Sequence, residues 1–211
     1  MPQLEAVPER RYLTVMFADL VGYTALSERL DPELLREVQL RYQQLAREIA
    51  EQNGGFVAAY SGDGILVYFG YPRTSENDAD RAVRTALEIL PSIGQLDLTE
   101  FLAPAEALAA RIALHTGLVV VGPEVASMGV SVHGAVGEAV NLAARLQAEA
   151  EPNSVVISSR QRNWWTGYSI LRRLDRDRSA DCRGRFRYIA LSPHGPAVNE
   201  HCAIGGAERS G

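Results

Sequence analysis

The run Tyr12-Leu13-Thr14-Val15-Met16-Phe17-Ala18 is almost wholly apolar and β-prone, and it stops at Asp19. A run without polar alternation fits a strand buried on both faces, with a carboxylate at its end. Two further apolar runs, Phe56–Tyr60 and Ile65–Phe69, are joined by Ser61-Gly62-Asp63-Gly64. That is the pattern of a β-hairpin with an acid in its turn.

Between these strands, Asp31-Pro32-Glu33 is a helix start: a capping residue, a proline in the first turn and an acid near the positive dipole end. Leu34, Leu35, Val38, Tyr42, Leu45 and Ile49 follow at helical spacing, and Asn53-Gly54-Gly55 ends the helix. A second amphipathic helix is expected over 76–96, using Ala79, Val83, Ala86, Leu87 and Leu90. Arg111–His115 reads as a strand turned by Gly117, with Leu118–Val121 as its partner. Residues 122–134 are rich in glycine, serine and valine and read as a projecting hairpin or loop. A helix over Glu138–Ala150, a strand over Ser154–Ser158 and one or two strands ending near Leu191 complete the order. The succession predicts an α+β, ferredoxin-like sandwich, a mostly antiparallel sheet with helices packed on one face. Residues 11–192 form that domain after a lead of 1–10, and the polar, glycine-rich residues 193–211 are expected to be a disordered tail.

All 21 basic residues are arginine, and the chain has no lysine. This excludes a Walker-type phosphate loop, a Schiff-base enzyme and a kinase strand lysine. Arginine substitutes for none of them, being a planar fork that does not deprotonate. Cys182 and Cys202 have no partner at metal-ligand spacing, which predicts a reducing, cytoplasmic compartment and no structural zinc. The polar N-terminus and the lack of any run of about 18 apolar residues predict neither a secretory leader nor a membrane span. A net charge of −5 also disfavours nucleic acid as partner. One stretch departs from that balance: Arg172–Arg187 holds seven arginines against Asp175, Asp177 and Asp181. It reads either as a solvated strand pair or as a contact for phosphate or a partner.

Asp19 and Asp63 lie 44 positions apart. If the hairpin pairs beside the first strand, both carboxylates converge at one sheet edge. Two acids without histidine or cysteine favour hard cations, Mg²⁺ or Mn²⁺, which commonly hold polyphosphate. Gly22-Tyr23-Thr24 follows Asp19 and opens a short helix, whose backbone N–H groups suit phosphate. Asn141 and Arg145 stand at i and i+4 on one helix face, an amide and a guanidinium suited to orienting a sugar and neutralising charge on phosphorus.

Three ordered motifs carry a resemblance. They are Phe17-Ala18-Asp19-Leu20-Val21-Gly22-Tyr23-Thr24, then Gly62-Asp63-Gly64 with Tyr68-Phe69-Gly70-Tyr71-Pro72, then Val136-Gly137-Glu138-Ala139-Val140-Asn141-Leu142-Ala143-Ala144-Arg145-Leu146. From about Arg11 to Leu191 the chain resembles the class III nucleotidyl cyclase catalytic domain, in its soluble-adenylyl-cyclase-like branch. The resemblance implies that Asp19, Asp63 and the Leu20 carbonyl hold two Mg²⁺ (or Mn²⁺) per active site. It implies attack of the ribose 3′-hydroxyl on the α-phosphorus of a nucleoside triphosphate, ATP favoured, with Asn141 on the ribose and Arg145 on the transition state. It also implies a head-to-tail homodimer whose sites take acids from one protomer and Asn/Arg from the other. Arg183 falls near the family's phosphate-binding lysine.

The base-reading positions depart from the family. The adenine-reading lysine is replaced by Ala59 and the second base reader by Gly134, so neither can make a polar side-chain contact. The guanine-reading Glu/Cys pair is equally absent. A site discriminates strongly only where a mismatch leaves its polar groups unpaired, so weak base selection is expected. Ser61, Tyr60 and His133 are the neighbouring polar side chains. Two other readings stay open: a catalytically silent dimerisation or nucleotide-sensing domain, and a cyclase of GTP or a pyrimidine nucleotide.

Overall fold

The computed structural model describes residues 8–98, 100–101, 108–122, 125–127, 130–132, 135–158, 185–191 and 200–204. The apolar run lies within β1 (Glu9–Leu20), followed by α1 (Tyr23–Arg29), α2 (Pro32–Gln52), β2 (Phe56–Ser61), β3 (Gly64–Phe69) and α3 (Asp78–Gly94). Then come β4 (Ala110–Val121), β5 (Val125–Ser127), β6 (Val130–Val132), β7 (Ala135–Val136), α4 (Glu138–Ala148), β8 (Ser154–Ser158), β9 (Arg185–Leu191) and β10 (Glu200–Ile204). The main sheet runs β10-β9-β8-β4-β1-β3-β2, with β7 on β4. Its pairings are antiparallel except β4 with β8. The glycine-rich stretch holds the separate β5–β6 hairpin.

β1 is central, as its lack of alternation demands. Alternate residues supply two cores, because side chains on a strand point to opposite faces. Met16, Ala18 and Leu20 pack with Val38, Tyr42, Ala46 and Ile49 of α2 and with Val83, Ala86, Ile89 and Leu90 of α3. Leu13 and Val15 join Val119, Val121 and the α4 residues Ala139 and Ala143 in the other core. Helices therefore cover both faces, α2 and α3 on one and α4 on the other, whereas the sequence suggested one face. The reason lies in β1 and β4 themselves: both parities are apolar, and each layer needs a cover.

Two further expectations give way. β4 continues through Gly117 without turning, and Leu13 of β1 pairs with Gly117 in register. What the glycine supplies is room. A Cβ there would stand 2.9 Å from the Ala139 Cβ and 3.1 Å from His115 Nε2, so its absence lets α4 lie close on the sheet. The segment 193–211, expected to be disordered, contains β10, paired antiparallel with β9 from Glu200↔Ile189 to Ile204↔Arg185. Pairing with an available strand edge overrides a polar composition there.

Replacing Gly117 with alanine should destabilise the fold by about 1–3 kcal/mol, the usual range for forcing an atom into a packed contact. Ala139→Gly in the same chain should recover part of that loss, seen as a positive coupling in a double-mutant cycle by urea unfolding.

Candidate active site

The register of β1 with β3 builds the site. Asp19 pairs with Gly64, one residue beyond Asp63, so the two-residue turn delivers the second carboxyl beside the first. Gly62 takes φ +57 in that turn, a left-handed conformation suited to glycine. Gly64 is closely packed as well, since a Cβ there would meet the Ser61 carbonyl oxygen at 3.2 Å. Asp19 and Asp63, predicted to converge, do so: the Asp63 carboxyl lies near enough to that of Asp19 for a shared proton to bridge them. Burial first, then that hydrogen bond and the Asp19 charge, push the Asp63 carboxyl up from 3.8 to about 6, with the Arg111 guanidinium pulling the other way.

Several partners of this pair were not singled out from sequence. Arg111, opposite Asp19 on β4, places a guanidinium nitrogen 3.6 Å from Asp19 Oδ2. Gln147 of α4 donates from Nε2 to the same oxygen at 3.2 Å. On the other side, Gln43 of α2 donates to the Gly62 carbonyl at 2.9 Å, and Gln39 donates to it as well. The Tyr23 hydroxyl donates to Gln39 Oε1 at 3.1 Å, which ties the start of α1 to the hairpin turn. Arg111 was open to discovery from register once β1 and β4 were paired; the glutamines carry no sequence signal of their own.

The donor set fits a hard divalent cation. Two carboxylates converge beside the strand end that carries the Leu20 carbonyl, and among the described residues no group of three or more His, Cys, Asp or Glu could hold a metal. Mg²⁺ suits such a sparse set, since it takes one or two carboxylates and fills its octahedron with phosphate and water. Gly22, at φ +74, precedes α1 without a side-chain cap, so the N–H groups of the first turn are not taken by a capping side chain. Asn141 and Arg145 are not brought to the acids. Both are exposed on α4, whose inner face is Ala139, Ala143 and Leu146. Ala59 is half-buried on the edge strand β2, where the ladder slips between Val57 and Ala59. Arg183, Gly134 and His133 lie outside the described residues, as does most of the arginine-rich stretch.

A carboxyl whose pKa rises on folding binds more protons in the folded than in the unfolded state. Its stabilising contribution is present below pH 3.8 and is lost as pH rises through about 6. In chelator, the wild type should therefore lose thermal stability between pH 5 and 7.5 relative to Asp63→Asn, which should be the more stable of the two at pH 7.5. Parallel thermal melts check this.

Comparison with known proteins gives the same assignment from independent directions. The chain is 27% identical over 138 residues to adenylate cyclase 1 of Rhizobium meliloti (strain 1021), which covers 65% of this chain and 21% of that protein. Among solved structures it matches the adenylyl cyclase CyaB from P. aeruginosa with a TM-score of 0.67 and 29% identity, over 74% of this chain and 81% of that one. It matches the guanylyl cyclase Cya2 with a TM-score of 0.72 and 27% identity, over 98% of each chain. The chain thus spans about a fifth of its curated relative's length, and adenylyl and guanylyl cyclases stand side by side among its matches. Residues 6–187 match the family model of the adenylate and guanylate cyclase catalytic domain, and with β1, the Asp63 turn and α4 arranged as described, the chain belongs to that family.

Proposed function

We propose that the chain converts a nucleoside triphosphate, ATP favoured, to its 3′,5′-cyclic monophosphate and pyrophosphate, as a head-to-tail homodimer in the cytoplasm. The observation that carries this is a division within one chain. Asp19 and Asp63 are gathered at a sheet edge, while Asn141 and Arg145 face outward on a helix whose inner side is spent on the core. Each protomer so arranged offers half a site, and two halves meet across a twofold axis.

Asp19, Asp63 and the Leu20 carbonyl would hold two Mg²⁺ or Mn²⁺. Bound there, the ions supply Lewis acidity at the ribose 3′-oxygen and charge neutralisation at the phosphates. The N–H groups of Gly22, Tyr23 and Thr24 receive phosphate oxygens beside the acids, and Arg183 is assigned to the leaving phosphates. Asn141 of the opposite protomer orients the ribose, and Arg145 meets the charge that develops on the α-phosphoryl oxygens. A bond forms from the 3′-oxygen to the α-phosphorus, the bond to the bridging oxygen breaks, and pyrophosphate leaves with that electron pair. The 3′-hydroxyl proton passes to solvent.

The adenine preference rests on counting unmet polar groups. With Ala59 and Gly134 at the base-reading positions, guanine leaves a carbonyl, a ring N–H and an amino group without side-chain partners. Adenine leaves a ring nitrogen and an amino group, a smaller penalty. The same two residues favour the second reading, a silent nucleotide-sensing domain. One assay separates the two. With Mg²⁺ or Mn²⁺ and each of four nucleoside triphosphates, chromatography should show cyclic AMP, with ATP preferred to GTP by no more than about tenfold. Asp63→Asn and Arg145→Ala should each lower turnover by about 100-fold or more. No cyclic product from any triphosphate overturns the enzyme reading.

A further inference from the structure

The two oxygens of the Asp19 carboxyl meet different surroundings. Oδ1 lies toward the hairpin that carries Asp63, 3.5 Å from where a Cβ on Gly64 would stand. Oδ2 lies toward β4 and α4, where Gln147 Nε2 donates to it at 3.2 Å and Arg111 Nη2 stands 3.6 Å away. The amide is hydrogen-bonded, whereas the guanidinium stops short of that distance.

The gap leaves Arg111 unsatisfied. Its Nε is buried with no hydrogen-bond partner among the described residues. Nε and Nη2 form the side edge of the guanidinium, an edge able to pair with both oxygens of one carboxylate. A short approach of that edge to Asp19 would satisfy Nε and close a two-bond ion pair. It would also take both Asp19 oxygens, and a cation between the acids would have to displace an arginine. Gln147 already holds the oxygen that Arg111 needs. It reaches Asp19 from the last turn of α4, a helix seated on the sheet by Ala139, Ala143 and Leu146, so the amide comes from a fixed base. An amide suits the task, because it donates to the oxygen without bringing a full charge to compete with a cation.

We propose that Gln147 is a positioning residue that guards Asp19 against Arg111: by holding Oδ2 it keeps the guanidinium from closing and leaves Oδ1, on the Asp63 side, to a divalent cation. The inference rests on the reading of Asp19 and Asp63 as metal ligands.

The test is Gln147→Met in the full chain, which keeps the reach of the side chain and removes the donor. Free Mn²⁺ is titrated by electron paramagnetic resonance without nucleotide, beside thermal melts in chelator. Gln147→Met should bind Mn²⁺ about tenfold more weakly, the lower end of what losing a hydrogen bond to a metal-binding group costs. In an Arg111→Met background the same substitution should change the affinity by less than about twofold, because the competitor is gone. The melting temperature of Gln147→Met should stay within a few degrees of wild type. Wild-type Mn²⁺ affinity in Gln147→Met overturns the proposal, provided Asp63→Asn has lost that affinity. A loss that persists without Arg111 overturns it too, since Gln147 would then act on the site by another route. So does a fall in melting temperature of more than about ten degrees, which would assign Gln147 to the seating of α4. Mn²⁺ binding that is indifferent to Asp63→Asn overturns the metal reading itself, and the role of Gln147 with it.

Discussion

Two carboxyl groups side by side at the end of the central strand repel when both are ionised, and burial together with that neighbour pushes the Asp63 carboxyl up. Here the contact follows from backbone pairing. The ladder from Thr14↔Phe69 to Asp19↔Gly64 fixes the β3 end against β1, and the tight turn that starts from it carries Asp63. That ladder is held by the cores on both faces of β1, so the whole sandwich maintains the contact. A cation relieves the repulsion. The pair thus presents a demand for positive charge that the Arg111 guanidinium meets in part.

Around that demand the chain arranges polar groups with no apolar purpose. Two glutamine amides on one carbonyl, a tyrosine linking α1 to α2, and an amide and a guanidinium near one aspartate oxygen leave the pair few ways to drift. Positioning of this kind matters because catalysis by metal and charge depends on where the groups stand before reaction. What the chain does not arrange is equally informative. Asn141 and Arg145 are turned outward on α4, as though for another molecule.

Much of this was legible from residues alone. The unalternating run at 12–18 announced a strand buried on both faces, Ser61-Gly62-Asp63-Gly64 announced a hairpin, and the two acids followed as a pair once the hairpin lay beside that strand. The failures share a cause. At Gly117 a sequence shows a missing side chain, the mark of a turn, and hides the helix that approaches it. The second helical face was missed although the apolar parity of β1 implied it. The contact of Gln147 with Asp19 spans 128 positions, and only the folded layers bring them together. β10 depends on an edge offered by β9, which composition does not encode.

In the proposed dimer each site is divided between two copies of the chain. Asp63→Ala and Arg145→Ala should each be nearly inactive alone. Unfolded together and refolded as a mixture, they should regain about a quarter of wild-type turnover, because half of the dimers are mixed and each mixed dimer keeps one intact site. A refolded mixture shown to contain mixed dimers, yet no more active than the two variants apart, would contradict it.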